Sequence, residues 1–433
     1  MRILHTVRAY PGDTGSEVFF FQLSNEMIKK GHKITIMTSD LMKWQLRSIF
    51  DYYSNLNIVE NNIRIKRIPY TILRFIFSLF KYKTNKKIIL NFFDLIFFSI
   101  EYCFIKLIRF IFKVRRKYLL WGLFQDNLGW KILYALRNEN YDLIHTTCVP
   151  RSVIIASLIA AKKNKIPIMI TPFYHYKEKR FYIYDNLWMS ILNKFDCINV
   201  CTDAERNYLI NHGIDKKKIV KIGVGIYYKL KNHENYVDWR KKLNISKEKF
   251  VALFMSPQVY NPEKGVLQVI AAALKLPQIE FIFTGKDKNS WNFMISRHFP
   301  NEKLDNCHYV GFVSEDDKNL LLNTVDLIVR PSINESFGIF YFEGMRNGKP
   351  IITSDIDSMK EISSGVGIAV EHGNVEDLIR AIERLQSDKE LYRRLSKNAL
   401  EKSKAFSWEE ISERFNQIYY SLANLNNTKT EFE

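Results

Sequence analysis

Glu335 and Glu343 stand eight positions apart in a stretch that reads Arg-Pro-Ser-Ile-Asn-Glu-Ser-Phe-Gly-Ile-Phe-Tyr-Phe-Glu-Gly-Met-Arg-Asn-Gly-Lys-Pro from Arg330 to Pro350. The apolar run from Asp326 to Val329 predicts a buried strand, which Pro331 ends, and Phe337 to Met345 predicts a helix. A strand, a tight loop and a helix start together offer free backbone N–H groups and the positive end of a helix dipole, which suit an anion. A carboxylate at Glu335 has the wrong charge to hold that anion. It suits the hydroxyls of a sugar or ribose beside one. The same placement also suits an acidic helix cap, and spacing alone leaves both readings open.

The elements that must position these residues follow an alternating strand and helix pattern. Arg2 to Val7 reads as a strand, Tyr10 to Ser16 as a loop, Glu17 to Lys30 as a helix and His32 to Thr38 as a strand. Open α/β sheets bind ligands at such a first turn, so Gly15 is a candidate contact, although the glycine spacing also fits a plain tight turn. His175 follows the strand Pro167 to Thr171, at a sheet edge where a substrate contact or a structural histidine would sit. The polar stretch from Asn232 to Lys249 marks a domain boundary, and Phe250 to Met255 opens a second sheet. Lys264 lies between that strand and a helix predicted from Gly265 to Lys275. That is the placement of a lysine holding phosphate as a point charge, or of an ordinary surface lysine. Both halves are α/β, and Gly15, His175, Lys264, Gly311 and Glu335 are expected to point into a cleft between them.

At 433 residues, with 47% hydrophobic and 25% charged side chains, the chain is long enough for two cores. Its five cysteines are scattered, with no Cys-x-x-Cys pair, so they read as reduced thiols of a cytoplasmic protein. Met1 to His5 enters a strand-like run directly, so no secretory leader is expected. Half of the net charge of +18 falls between Thr71 and Leu120, where eleven Lys and Arg stand against Asp94 and Glu101. That segment is rich in Phe, Ile and Leu, yet no uncharged run reaches the about 20 residues a spanning helix needs. Asp94, Glu101, Arg109, Lys113 and Arg116 share one helical stripe, and Lys113, Arg115, Arg116 and Lys117 form a basic cluster at its end. Such a helix can lie in an anionic membrane interface. A helical pair packed on the sheet, or a dimer contact, is the alternative. Nucleic acid is not an expected partner, because the basic residues are interleaved with long aliphatic stretches.

Taken in order, several pieces of the chain carry a family likeness. They are Gly31-His32, Asp142-Leu143-Ile144-His145, Thr171 with His175 soon after, Pro262-Glu263-Lys264-Gly265 and Gly311-Phe312-Val313. Pro331-Ser332, Glu335-Ser336-Phe337-Gly338 and Glu343 complete the set. Together they resemble the retaining GT-B glycosyltransferases of family 4, from Met1 to about Leu422 apart from the apolar insertion. The resemblance implies an α/β GT-B fold, two Rossmann-like domains facing across a cleft, with the C-terminal helix crossing back to the first domain. Residues 1–235 would be the acceptor-binding domain, with the insertion at about 71–120. Residues 236–406 would bind the nucleotide-sugar, 407–424 would form the returning helix and 425–433 a disordered tail.

The resemblance further implies a UDP- or GDP-sugar co-substrate, no cofactor and no metal. With the basic apolar insertion, the motif set points to a glycan or lipid-linked acceptor at the inner face of the cell membrane, in surface polysaccharide or glycolipid synthesis. A soluble enzyme acting on a small or protein acceptor, or a degenerate binding subunit, are the other readings. Glu335, Lys264 and His175 are the implied catalytic residues, with Glu335 on the transferred sugar and Lys264 on the diphosphate. The backbone at Ser336, Phe337, Gly338 and Ile339 would hold sugar and diphosphate, and Glu343 the ribose hydroxyls. Gly311, Phe312 and Val313 would line the base, with Gly15 and Gln258 completing the donor set. Asp355-Ile356-Asp357 lies beyond the motif and reads as a turn rather than a metal loop. One departure stands out: where the family usually carries an arginine five or six positions before the lysine, this chain has Val259 and Gln258, and Lys286 is a candidate substitute.

Overall fold

Uninterrupted apolar strands with helices between them bury both faces of a sheet, and parallel pairing follows from the crossover each helix makes. The computed structural model describes residues 1–9, 15–39, 57–60, 62–68, 103–104, 107, 111, 129–137, 139–149, 151–175, 185–227, 238–333 and 335–430. Lys113, Arg115, Arg116 and Lys117 lie outside them. The described chain forms two units.

The first unit holds residues 1–201, 205–223 and 412–433. The chain runs β1 (Arg2–Ala9), α1 (Gly15–Lys29), β2 (Lys33–Ser39), β3 (Asn57–Glu60), β4 (Ile63–Ile68), α2 (Gly129–Leu136) and β5 (Leu143–Thr147). It continues through α3 (Ser152–Lys163), β6 (Ile168–Thr171), α4 (Asp185–Leu192), β7 (Cys197–Val200), α5 (Asp203–Asn211) and β8 (Ile219–Lys221). The strands lie in the order β3-β4-β2-β1-β5-β6-β7-β8. Neighbours are parallel except for the β3–β4 pair. Every residue of β5, β6 and β7 is buried.

The second unit holds residues 202–204 and 224–411. It contains α6 (Trp239–Lys242), β9 (Phe250–Met255), α7 (Val266–Lys275), β10 (Ile279–Thr284), α8 (Lys288–His298), β11 (Cys307–Gly311), α9 (Glu315–Thr324) and β12 (Leu327–Arg330). Then come α10 (Ile339–Met345), β13 (Ile351–Ser354), α11 (Asp357–Ser363), β14 (Gly367–Val370), α12 (Val375–Ser387), α13 (Lys389–Lys404) and the start of α14 (Trp408–Thr430). Its six strands are all parallel, in the order β11-β10-β9-β12-β13-β14. The order reverses between β9 and β12, and the carboxyl ends of the strands at such a switch point are where open α/β sheets bind ligands. The core is built at helical spacing: Val266, Val269, Ile270 and Ala273 of α7 are fully buried with Ala252, Phe254 and Phe283 of the sheet.

Two boundaries differ from expectation. The second unit begins at Val224 rather than at 236, because Ile226 exchanges backbone hydrogen bonds with Phe406 (2.7 Å) and Trp408 (3.1 Å). A Cβ on Gly225 would lie 2.3 Å from the Trp408 ring, so that approach needs glycine. The final helix runs through Thr430, so residues 425–430 are helical where a disordered tail was expected. No glycine or proline stops it, and polar residues alone do not end a helix.

From Ser412 onward α14 belongs to the first unit, and it is held there by a buried polar chain. The Tyr419 hydroxyl lies 3.2 Å from His5 Nε2 and 2.6 Å from His145 Nδ1. His5 Nδ1 reaches Ser24 Oγ (2.7 Å), and His145 Nε2 reaches Thr171 Oγ1 (2.9 Å). Burial, then the neighbouring His32, pushes the His5 pKa down to about 3. Burial, then His5, holds His145 well below its ordinary range. Both rings are therefore neutral in the fold. Their folded pKa values lie below the unfolded value, so their contribution to stability is complete above about pH 6.5 and is lost as the pH falls. We expect the free energy of unfolding to fall by up to about 1.4 kcal/mol per pH unit for each of the two histidines below that point. Urea titrations at pH 7 and pH 5 check this: a His5→Leu/His145→Leu variant, though less stable, should show the shallower pH slope.

Candidate functional site

The candidate site grows from the carboxyl ends of β9 and β12, which run side by side with Leu327 opposite Ala252 and Ile328 opposite Leu253. After β9 the chain reaches a single turn of 3-10 helix, Pro262–Lys264, whose cap is Asn261, its side chain accepting from the Glu263 N–H at 3.0 Å. Gly265 then takes φ +81° to start α7. A Cβ on Gly265 would lie 2.6 Å from the Pro331 carbonyl oxygen. The turn that carries Lys264 is thus pressed against the loop that carries Glu335. Hydrogen bonds to the Glu263 carbonyl from Ile333 N–H (3.0 Å) and Ser332 Oγ (3.3 Å) join the two.

Three charges meet there. Glu335 Oε2 accepts from Arg330 Nη2 at 2.6 Å and from Lys264 Nζ at 3.3 Å. The Arg330 side chain is 7% exposed. Its Nη1 donates to the Met255 carbonyl at 3.0 Å. The rings of Phe340 and Tyr341 lie 5.1 and 5.3 Å from its guanidinium carbon. Burial opposes its charge, but Glu335 and the Tyr341 hydroxyl outweigh that, so its pKa stands above the ordinary arginine value. Two cations thus meet on one carboxylate oxygen. The Glu335 loop is fixed from behind by Ser358 Oγ, which donates to the Glu335 carbonyl at 3.1 Å, and by Ser354 Oγ on the Ser332 carbonyl.

The helix behind the loop starts at Ile339, two residues later than expected. Gly338 takes φ +70° to begin it, where a Cβ would meet the Tyr341 ring at 2.5 Å. Phe337 is buried and stacks on Phe342 with centroids 4.3 Å apart, so its side chain belongs to the core and only its backbone remains for a ligand. Ser336 is also buried. Glu343, further along α10, pairs with Lys318 at 2.5 Å. Lys318 is carried by α9, whose cap Ser314 accepts from the Asp317 N–H at 3.1 Å. The short segment Gly311-Phe312-Val313 leads into that helix, with Gly311 at φ +76° and Phe312 exposed. Lys286 Nζ lies 4.8 Å above the Phe312 ring.

The two positions before the lysine differ in environment. Val259 is fully buried in the core, and Gln258 is exposed. Asp355 and Ile356 form a bend, and Asp357 is already the first residue of α11 where a turn was expected. Among the described residues no cluster of three or more His, Cys, Asp or Glu is placed to hold a metal. Gly15 and His175 belong to the first unit. Gly15 is the first residue of α1 rather than part of a loop. His175 is half-buried after β6, beyond Phe173 at φ +45°. The Tyr174 N–H beside it donates to Glu205 Oε1 at 2.9 Å.

The structure thus brings Lys264 and Glu335 together and adds two residues that sequence reasoning gave no role, Arg330 and Lys318. Arg330 carried a signal, a charge closing the apolar run Leu-Ile-Val, which must find a partner. Lys318 carried none, since it lies on a polar helix among other charges.

A chain with two such α/β units has the GT-B fold class, and known structures agree. HepE from Anabaena, in complex with UDP and glucose, superposes with a TM-score of 0.69 over 97% of this chain and 100% of that one, at 16% identity. The family models agree in turn: "Glycosyltransferase Family 4" matches residues 99–227 and "Glycosyl transferases group 1" matches residues 235–402. The chain belongs to this glycosyltransferase family. Among characterised relatives, the serotype-specific mannosyltransferase WbdA of Escherichia coli is 35% identical over 100 residues, 23% of this chain and only 12% of WbdA. The O-antigen biosynthesis glycosyltransferase WclY of Escherichia coli is 23% identical over 252 residues, 56% of this chain and 69% of WclY.

The close approach at Gly265 is directly testable. Gly265→Ala puts a side chain into the left-handed region and against Pro331, and should cost at least about 1 kcal/mol. A urea midpoint equal to that of the wild type would show that the Lys264 and Glu335 loops are not locked together in this way.

Proposed function

We propose that the chain transfers a sugar from a UDP- or GDP-sugar to a glycan or lipid-linked acceptor during synthesis of a surface polysaccharide or glycolipid, with retention of configuration and without a metal. The observation that carries this reading is the double engagement of Glu335 by Lys264 and Arg330. A diphosphate offers these cations further negative charge, and Glu335 is then an acceptor for hydroxyls of the sugar beside it. Glu343, held by Lys318, suits the ribose hydroxyls. Gly311 to Val313, close to α9 in sequence, suit the base, with Phe312 as an exposed aromatic surface.

In such a site the protein's work is positioning and charge neutralisation. Lys264 stabilises the leaving diphosphate as the glycosidic bond breaks, and a diphosphate oxygen takes the acceptor's proton. The names of WbdA and WclY, a mannosyltransferase and an O-antigen enzyme, support a polysaccharide product. Action at the membrane face is supported by the basic cluster Lys113, Arg115, Arg116 and Lys117 in the sequence. Phe104, Leu107 and Ile111, exposed at helical spacing just before it, support it too. Among the described residues no helix is long and apolar enough to cross a membrane.

Turnover of a panel of UDP-, GDP- and ADP-sugars tests the reading. Glu335→Gln and Lys264→Ala should each lower kcat/KM by about 100-fold or more. Glu343→Ala should act mainly on the donor KM, because ribose contacts are made equally in ground and transition states. Undiminished turnover in Glu335→Gln and Lys264→Ala would sink the assignment. Flotation with phosphatidylglycerol vesicles checks the membrane part: binding should be salt-sensitive and should fall when Lys113, Arg115, Arg116 and Lys117 are changed to Gln. A wild type that does not float with the vesicles, and a variant that loses no activity, would point to a soluble enzyme.

A further inference from the structure

Resting on the donor-site reading, we propose that Arg330 is the positioning residue of this site: it keeps hold of the Glu335 carboxylate so that Lys264 is released to the diphosphate of an incoming nucleoside-diphosphate sugar. Both cations share one oxygen, Glu335 Oε2, but they do not share it equally. Arg330 reaches it at 2.6 Å and Lys264 at 3.3 Å. Arg330 is anchored on three sides, by the Met255 carbonyl, by the rings of Phe340 and Tyr341, and by Glu335 itself. The Lys264 side chain is 21% exposed against 7% for Arg330, and ends a flexible four-carbon stem. When an anion competes for the pair, the lysine moves and the arginine stays.

Charge points the same way. Removing the carboxylate from a buried guanidinium is strongly unfavourable, so Glu335 cannot follow Lys264 to the ligand. Arg330 Nε has no hydrogen-bond partner among the described residues, so this guanidinium is not saturated even with Glu335 in place. Neither position before Lys264 offers a cation: Val259 is in the core and Gln258 is neutral. The second positive charge of the site instead approaches from the end of the neighbouring strand, β12.

The full-length chain tests this with four forms: wild type, Arg330→Met, Glu335→Gln and Arg330→Met/Glu335→Gln. Each is titrated with UDP, GDP and ADP by calorimetry, assayed with the matching sugar nucleotides, and checked by thermal unfolding. In Arg330→Met, Glu335 falls back on Lys264, so nucleotide affinity should drop about tenfold and kcat about 100-fold. In the double variant Lys264 is free again. Nucleotide affinity should return to the level of Glu335→Gln, and kcat should lie within about threefold of that single variant. Losses that multiply in the double variant, or an Arg330→Met protein of normal nucleotide affinity, would overturn the role of Arg330 while leaving the donor site intact. If Arg330→Met does not fold, Arg330→Gln and Arg330→Gln/Glu335→Gln, which also remove the cation, carry the same comparison. A folded wild type that neither binds nor turns over any of the three nucleotides would overturn the donor-site reading, and the role of Arg330 with it.

Discussion

Burying the Arg330 guanidinium at the end of an apolar strand constrains everything that follows it in the chain. An arginine taken out of water costs on the order of several kcal/mol unless a carboxylate meets it. The carboxylate comes from Glu335, five residues on, at 2.6 Å. The loop between them must therefore turn back at once, which Pro331 begins and which Ser354, bonding the Ser332 carbonyl, holds. Gly338 can then enter the left-handed region, and α10 starts with Phe340 and Tyr341 over the guanidinium. The Tyr341 hydroxyl returns a hydrogen bond to the Arg330 carbonyl. The turn carrying Lys264 closes over the same loop because Gly265 leaves no side chain in the way of Pro331. One desolvated charge accounts for the shape of the edge.

The two glutamates of the motif have different electrostatic tasks. Glu343 pairs with Lys318. It ties α9, which follows the segment Gly311-Phe312-Val313, to α10. Glu335 meets two cations, Lys264 and Arg330, on one oxygen. A paired carboxylate suits hydroxyls, which bring no charge. Two cations on one carboxylate oxygen suit an anion. The sequence spacing treats the two carboxylates as equivalent; the cations around them do not.

Much of this was legible in the sequence, and the limits are physical. The strands were readable because parallel sheets leave apolar runs such as Leu143-Ile144 and Ile168 to Ile170. The places of Lys264 and Glu335 beside tight turns were readable because proline and glycine mark those turns. The partners of those residues were not. Arg330 to Met255 is a contact across 75 positions, and Lys318 to Glu343 across 25. Nothing local marks either one. Gly15 read as a loop residue because glycine is a poor helix former, yet it opens α1. The helix from Trp408 was clear from its period, but its anchor, Tyr419 between His5 and His145, joins residues 414 and 274 positions apart.

That anchor shows how a buried polar cluster reveals its purpose. In the first unit, His5, His145, Tyr419, Ser24 and Thr171 form a chain in which each ring nitrogen has a partner at hydrogen-bond distance. Burial keeps both histidines neutral. Nothing in it calls for a ligand, and its effect is to fix where the last helix lies. In the second unit two cations share one carboxylate oxygen, and one nitrogen of the buried guanidinium is unbonded among the described residues. Both clusters hold titratable groups at the heart of a parallel sheet. A network that is satisfied and neutral stabilises the fold. A network in which two cations share one carboxylate oxygen, at the carboxyl ends of strands where the order reverses, is placed where open α/β sheets take ligands.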